Sequence, residues 1–434
     1  MTSISSASPG SACLPIDVAP HPLYAAAVAV LEPRPSSGGL SFEQILRSVE
    51  RSLGESPALR RWLGGDEARD GEMEVDRRAW SKHVQAVTPE EAVSERALCA
   101  LVGELSARPL DPDRPQWMLY VIEGLFGGLV AAVLVTDLGL ADPRTCTEAL
   151  RHLLGLAPKD ETRPSHFERS VPWPSPATID PSEDVAFPTD PTARRWSGPL
   201  SDARMSAYAR SHRAAVDVVQ RAFGGTCEDV TLAACTRALR RYLQAHGDAV
   251  DEPLVAVLPT EPGATVGERA FVRYIQLPVQ IADPVDQLRI IQSETCRAHT
   301  APQIAGRRWL GVPCTVASPD PIPAGSSGPR PSPLLRRHQL VFRSLTGADR
   351  TLYLGTARVV ALHPHGPLFE GAGLDLSVIR YGNSIDFGLM ACPDRVPDAV
   401  EITAGIEAAV ADLVKRAFEE REGSLELGDW SAGA

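Results

Sequence analysis

An unbroken apolar segment that ends in an acidic turn constrains the fold of this 434-residue chain more than any other feature. Residues 130–135 are apolar throughout and lead into a turn that carries Asp137 and Asp142. Residues 144–154 then have the character of a helix. The pattern therefore predicts a buried strand, a tight turn and a helix, with two carboxylates where the strand ends.

Four other segments follow a recognisable order along the chain. They are Pro-Leu-Asp-Pro-Asp-Arg-Pro-Gln-Trp at residues 109–117, Glu-Asp-Val-Thr-Leu-Ala at 228–233, Gly-Pro-Leu-Phe-Glu-Gly-Ala-Gly-Leu at 366–374 and Asp-Phe-Gly-Leu at 386–389. With the turn after residue 135, this order resembles the wax ester synthase/diacylglycerol acyltransferase family over most of the chain. The resemblance implies an α/β fold (α+β, mixed sheets) of two chloramphenicol-acetyltransferase-like lobes around a central tunnel, as in the condensation-domain superfamily.

The family's active-site motif reads His-His-x-x-x-Asp-Gly, and this chain departs from it. When the two are aligned on Asp142, the histidine positions fall on Asp137 and Leu138, and the glycine falls on Pro143. In active relatives the second histidine is the general base that takes a proton from the acceptor hydroxyl as it attacks an acyl thioester. Leu138 cannot take a proton, so the resemblance implies the fold without the usual base.

Three residues remain as candidates for a catalytic role. Asp137 is either a desolvated carboxylate with a raised pKa or a solvated turn residue, and strand alternation turns it away from the side that Leu138 faces. Asp142 keeps the family's aspartate, which in relatives holds the turn through an ion pair or backbone hydrogen bonds. His365 precedes the matched segment 366–374, and its alternative is a solvated loop histidine. No cofactor-binding residue is assigned.

Other departures fall on positions that line or brace the family's tunnel. Glu228 and Glu268 stand where relatives have asparagine, and Thr346 stands in place of a proline in the family's Asn-Val-Pro-Gly-Pro segment. Together with Leu138, these residues predict a remodelled tunnel lining. The sequence thus indicates a retained scaffold whose original chemistry has changed.

Two proline-rich stretches, at residues 158–191 and 313–333, divide the chain. Proline removes an amide donor and fixes φ, so neither stretch can be a helix or a central strand. We predict a disordered leader (1–15), an amino-terminal lobe (16–156), a crossover linker (157–193), a carboxy-terminal lobe (194–422), a tail (423–434) and a surface loop over 313–333. Helices are predicted at 42–53, 98–105, 202–223, 227–246, 285–299 and 398–420, and strands at 23–31, 117–125, 129–135, 374–381 and 384–391.

Composition excludes several classes of function. The formal net charge of −12 argues against nucleic-acid and anionic-membrane partners, which need a basic face. No apolar run approaches the length of about 18 residues that a transmembrane helix needs, and the eight scattered cysteines form no C-x-x-C pair. We expect a cytoplasmic protein with free thiols and no bound cofactor or metal.

Three hypotheses for function remain open. The first is an acyltransferase-like enzyme of small-molecule metabolism that uses an acyl-coenzyme A or carrier-protein thioester and a small acceptor, without the usual histidine. The second is a repurposed enzyme that promotes a cyclisation or condensation in the tunnel without acyl transfer. The third is a catalytically silent partner protein. The expected partners are a small-molecule substrate and, in the first hypothesis, an acyl carrier protein.

Overall fold

The computed structural model describes residues 21–34, 39–64, 82–89, 91–111, 114–138, 140–156, 196, 198–259, 271–300, 304–305, 339–369 and 371–431. The predicted leader, the crossover 157–193, the loop 313–333 and Glu268 lie outside these residues. The described residues form two mixed sheets, as the sequence predicts.

The first sheet has six strands in the order β10-β11-β1-β4-β3-β2. Its strands are β1 (Tyr24–Glu32), β2 (Val84–Val87), β3 (Trp117–Ile122), β4 (Val130–Asp137), β10 (Tyr353–Leu354) and β11 (Ala357–His365). Helices α1 (Phe42–Glu55), α2 (Pro57–Gly64) and α4 (Pro143–Leu153) cover one face, and α3 (Glu95–Ala107) packs on the other. β10 and β11 belong to the carboxy-terminal block of the sequence, so this sheet joins both blocks of the chain.

The second sheet has seven strands in the order β5-β13-β12-β9-β6-β7-β8. Its strands are β5 (Met205–His212), β6 (Leu254–Pro259), β7 (Phe271–Leu277), β8 (Ile304–Ala305), β9 (Leu340–Thr346), β12 (Leu374–Tyr381) and β13 (Ser384–Ala391). Helices α5 (Arg213–Phe223), α6 (Cys227–Ala245), α7 (Pro284–Thr300) and α8 (Val400–Ser431) bury one face of this sheet in the largest core cluster.

The opposite face of the second sheet meets the first sheet. Because side chains alternate along a strand, Leu340 and Phe342 of β9 enter the helix-covered core, whereas Leu345 packs with the first sheet's core. On β13, Gly388 lies against Pro364 of β11, where a Cβ would collide with the Pro364 carbonyl. The absence of a side chain at Gly388 therefore lets the two sheets approach closely.

Most of the predicted elements are confirmed, and one is wrong. β12 and β13 have the predicted bounds, and Gly382 in their two-residue turn adopts φ +53°, a conformation that favours glycine. The helix predicted over 202–223 is instead β5 followed by α5. β5 carries residues of mixed propensity, and its pairing with β13 from Ser384↔His212 to Ala391↔Met205 decides its conformation.

Among the described helices, none combines the length and apolar character that a membrane span needs. Five cysteines in the described part of the chain are free thiols, namely Cys99, Cys146, Cys227, Cys235 and Cys392.

Candidate functional site

The turn after β4 is held by backbone hydrogen bonds and by Asp142. The Asp137 carbonyl accepts from the amides of Leu140 and Ala141, at 3.0 Å each. The Asp142 carboxylate accepts from the Thr145 amide at 2.7 Å and so caps the amino terminus of α4. Pro143 is the first residue of α4, a position that suits its fixed φ. The proline therefore fits the turn where relatives have glycine, and the geometry gives Asp142 a structural role.

Leu138 packs into a small apolar cluster between the two sheets. The cluster consists of Leu23, Leu138, Val341 and Phe369, all of which are buried. The Leu138 amide donates to the Leu23 carbonyl at 2.9 Å, which fixes the turn beside the start of β1. Since Val341 belongs to β9 and Leu23 precedes β1, the cluster joins both sheets. The position implied for a general base thus lies in an apolar environment.

A buried ion pair lies on the same strand as Val341. Arg343 of β9 pairs with Asp375 of β12, and both side chains are almost completely buried. The other carboxylate oxygen of Asp375 accepts from the Gly366 amide at 2.8 Å and from the Ser377 hydroxyl at 2.9 Å. Burial lowers the pKa of Arg343 to about 9, and the charge of Asp142 opposes that change. Arg343 therefore remains a cation at neutral pH and interacts electrostatically with the turn.

Sequence reasoning missed this pair, although the sequence carries a signal for it. Arg343 directly follows the apolar residues 340–342, and Asp375 lies between Leu374 and Leu376. A lone charge on a buried strand requires a partner. Two such charges of opposite sign, on two strands of one sheet, indicate that they pair.

His363 and His365 lie in β11 rather than in the solvated loop that was the alternative for His365. Both side chains are buried against Tyr208 of β5, with ring centroids 4.2 and 5.4 Å from the tyrosine ring. The His363 Nδ1 is 3.0 Å from the Phe387 carbonyl. Burial lowers the pKa of His365 to about 3, which makes it a weak base. Its position supports a packing role between the sheets and does not support the predicted catalytic role.

Because His363 and His365 are buried, we predict that acid destabilises the fold. Burial lowers the pKa of His363 to about 4 and that of His365 to about 3, whereas an unfolded histidine titrates near about 6.5. Between these values the unfolded chain binds protons that the folded chain does not. Each histidine should therefore lower the free energy of unfolding by about 1.4 kcal/mol per pH unit on acidification below about pH 6.5.

Urea unfolding at about pH 7, 6, 5 and 4.5 measures this slope. His365→Phe keeps an aromatic ring at this position but removes the group that binds a proton. The dependence of the free energy of unfolding on pH should therefore decrease by about one proton equivalent. His212→Gln is the control, because His212 is exposed. An equal slope in His365→Phe and in the unsubstituted protein would contradict the assignment.

Asp137 lies beside Tyr24, its partner in the β1–β4 register. Burial raises the pKa of Tyr24, and the charge of Asp137 acts in the same direction, so the two groups are close. Asp137 is half-buried, whereas Leu138 is buried in the apolar cluster. Asp137 is thus a half-buried carboxylate directly beside the position implied for the base, and its catalytic role stays a prediction.

The other two tunnel-lining candidates that the structure describes, Thr346 and Glu228, lie on different elements, and their role in a tunnel stays a prediction. Thr346 is exposed at the end of β9, about 16 Å along the strand from Val341 at ~3.3 Å per residue. Glu228 is half-buried in the first turn of α6, where a negative charge favours the helix dipole. Cys146 lies near the start of α4, where a thiol could act as a nucleophile. Burial raises the pKa of this thiol to about 12, so it is protonated at neutral pH and is a weak nucleophile.

Two family models match this chain. A model of the wax ester synthase/diacylglycerol acyltransferase catalytic domain matches residues 10–183, and a model of the carboxy-terminal domain of the same enzymes matches residues 267–413. The chain belongs to this family. The resemblance read from the turn and the four motif segments is therefore confirmed, and an acyltransferase-type protein is identified.

Known relatives agree with this assignment over nearly the whole chain. A Mycobacterium tuberculosis protein named putative diacylglycerol O-acyltransferase is 26% identical over 464 aligned positions, which cover 93% of this chain and 89% of the relative. Among solved structures, the wax ester synthase/diacylglycerol acyltransferase of Marinobacter aquaeolei superposes with a TM-score of 0.63 at 16% identity, covering 91% of this chain and 95% of that one.

The likeness in fold extends to a second kind of solved structure. The cyclization-docking bidomain of EpoB, a nonribosomal peptide synthetase from Sorangium cellulosum, superposes with a TM-score of 0.50 at 13% identity, covering 92% of this chain and 81% of that one. At such identities the likeness concerns the fold alone. The predicted fold class, two lobes with mixed sheets, is confirmed.

Proposed function

We propose that this protein transfers an acyl group from a thioester of coenzyme A or of a carrier protein to a small acceptor, without a histidine base. The main support for the proposal is the structure of the turn after β4, in a chain that belongs to an acyltransferase family. Asp142 still caps α4, so the turn is retained, while Leu138 occupies the base position within an apolar cluster. A cytoplasmic location and a role in small-molecule metabolism stay predictions.

The proposed reaction has no internal proton acceptor at position 138. The acceptor's nucleophilic atom attacks the thioester carbonyl, the carbon–sulfur bond breaks, and the leaving thiolate takes up the proton that the nucleophile loses, directly or through water. Loss of a general base costs about 10²- to 10⁴-fold in rate, whereas positioning of the two reactants contributes effective molarities up to about 10⁵–10⁸ M. An amine of low pKa, which attacks while neutral, suits such a site better than an alcohol.

The test is a transfer assay with purified full-length protein. Acyl-coenzyme A is offered with an aromatic amine and, in a parallel reaction, with diacylglycerol, the acceptor for which the mycobacterial relative is named. Mass spectrometry detects the acylated product. We expect transfer to the amine to exceed transfer to the hydroxyl, and Asp137→Ala to retain most of the amine activity. A large loss in Asp137→Ala would instead make Asp137 the base, and absence of any product would refute acyl transfer.

A second candidate function is supported by the apolar character of the cluster. Leu23, Leu138, Val341 and Phe369 surround the base position with hydrocarbon side chains only, an environment that suits a hydrophobic molecule better than group transfer. This candidate covers both a repurposed enzyme and a silent partner protein. Absence of acyl transfer, together with saturable binding of a hydrophobic molecule that Leu138→Gln weakens, would favour it over the acyltransferase.

A further inference from the structure

A pocket at the edge of the first sheet lies close to the turn that carries Asp137. Its volume is about 260 Å³, and it is formed by the β2–β3 edge and by the segment that follows α3. The lining includes Lys82, Gln85, Arg108, Arg114, Met118 and Tyr120. We refer to it as the Arg108–Arg114 pocket.

Hydrogen bonds connect this pocket to the motif turn. The Gln116 carbonyl accepts from the Asp137 amide at 3.0 Å, and the Gln116 side chain donates to the carbonyls of Asp111 and Arg114. The Tyr24 hydroxyl accepts from the Leu110 amide at 2.8 Å. Leu110 in the pocket lining and Gln116 beside it are therefore hydrogen-bonded to Tyr24 and Asp137, so the pocket borders the motif turn.

The pocket is basic although the chain has a net charge of −12. Its lining holds three permanent cations, Lys82, Arg108 and Arg114, and one carboxylate, Asp111, among the residues that the structure describes. Lys82 is exposed and has no ion-pair partner in the described part of the chain. The pocket thus carries an excess of positive charge.

The two arginines are available to an anion despite their ion pairs. Arg108 contacts Glu104 at 2.6 Å and Arg114 contacts Asp111 at 3.0 Å, and all four side chains are about half exposed. Exposed pairs of this kind contribute little to stability, so a phosphate replaces or shares the carboxylates at small cost. Tyr120, which also lines the pocket, has a pKa that burial raises and that the positive charge of Arg108 lowers. This effect indicates that the Arg108 guanidinium lies close to Tyr120.

We infer that the Arg108–Arg114 pocket binds the phosphate groups of a phosphopantetheine thioester, so that the thioester end of the arm reaches the motif turn. This inference rests on the proposed function, which supplies the thioester. The carboxyl end of α3 lies nearby and disfavours an anion by about 0.3–1 kcal/mol. Charge-assisted hydrogen bonds from two guanidinium groups outweigh that effect, because arginine presents planar pairs of donors that match phosphate oxygens. Coenzyme A and a carrier protein share this phosphate.

Binding to the full-length protein, measured by isothermal titration calorimetry, tests the inference. We expect coenzyme A to bind at least about tenfold more tightly than pantetheine, which lacks phosphate. Arg108→Gln/Arg114→Gln should weaken coenzyme A binding by about 10- to 100-fold and leave pantetheine binding unchanged. The charge-matched control is Arg96→Gln/Arg221→Gln, since both arginines are exposed and lie outside the pocket.

A phosphopantetheinylated carrier protein and its unmodified form provide the second arm of the experiment. Binding of the modified carrier but not of coenzyme A, with the same sensitivity to the double variant, would identify the carrier as the source of the phosphate. Equal binding of pantetheine and coenzyme A, unchanged affinity in Arg108→Gln/Arg114→Gln, or no binding of any probe would overturn the inference. If the protein transfers acyl groups but the double variant binds coenzyme A as tightly as the unsubstituted protein, the role of the pocket is refuted and the proposed reaction stands. If the double variant binds coenzyme A more weakly but no acyl transfer occurs, only the proposed reaction is refuted.

Discussion

Leu138→His is expected to raise the rate of acyl transfer by about 10²- to 10⁴-fold, the contribution of a positioned general base. Position 138 follows β4 directly, and its amide is fixed to the Leu23 carbonyl at 2.9 Å, so a new imidazole starts from a rigid backbone. The apolar neighbours Val341 and Phe369 should lower the pKa of that imidazole. A histidine with a lowered pKa is neutral at pH 7 and is able to accept a proton, so the gain should persist at neutral pH and disappear on acidification.

The rate with an alcohol acceptor is the measurement that distinguishes this gain from other effects. An alcohol depends on a base more than an amine of low pKa does, so the alcohol reaction should gain more. Leu138→Asn is the matched control, because it brings a polar side chain of similar size into the cluster without a titratable group. Equal rates in the histidine and asparagine variants would mean that the missing base does not limit the reaction.

The sequence predicts β4 and the β12–β13 hairpin because each has a strong local signal. The apolar residues of β4 and the two-residue turn at Gly382 are both recognisable from a few neighbouring residues. Leu138 is also recognisable from the motif alignment. What surrounds Leu138 is different, since Val341 and Phe369 are about 200 residues away in sequence and reach the turn only through the meeting of the two sheets.

The misplaced predictions have the same physical origin. β5 has residues of mixed local propensity, and its pairing with β13 along its whole length makes it a strand. His365 follows a proline, which favours a loop, yet β11 pairs with β1 from Ala26↔His365 to Glu32↔Arg358 and places the imidazole in the core. In both cases, contacts distant in sequence override the local preference.

The Arg343–Asp375 pair is expected to carry the largest single contribution of a polar contact to the stability of the described structure. Arg343→Met leaves the Asp375 carboxylate buried without its cation, and Asp375→Asn leaves Arg343 without its anion. Each substitution should lower the free energy of unfolding by about 3–5 kcal/mol. The amide side chain that Asp375→Asn introduces would still offer a carbonyl oxygen to the Gly366 amide and the Ser377 hydroxyl, so the loss in this variant reports on the charge rather than on those hydrogen bonds.

The double variant Arg343→Met/Asp375→Asn removes both charges and should be more stable than either single variant. A buried ion pair gains little over apolar or neutral groups of similar shape, whereas one unpaired buried charge is costly. Urea unfolding of the four proteins gives the coupling energy, which we expect to exceed about 2 kcal/mol. The exposed pair Arg358–Glu32 is the control, and Arg358→Met should cost at most about 1 kcal/mol. Additive losses at Arg343 and Asp375 would contradict this prediction, because they would show that neither charge depends on the other for its stabilisation.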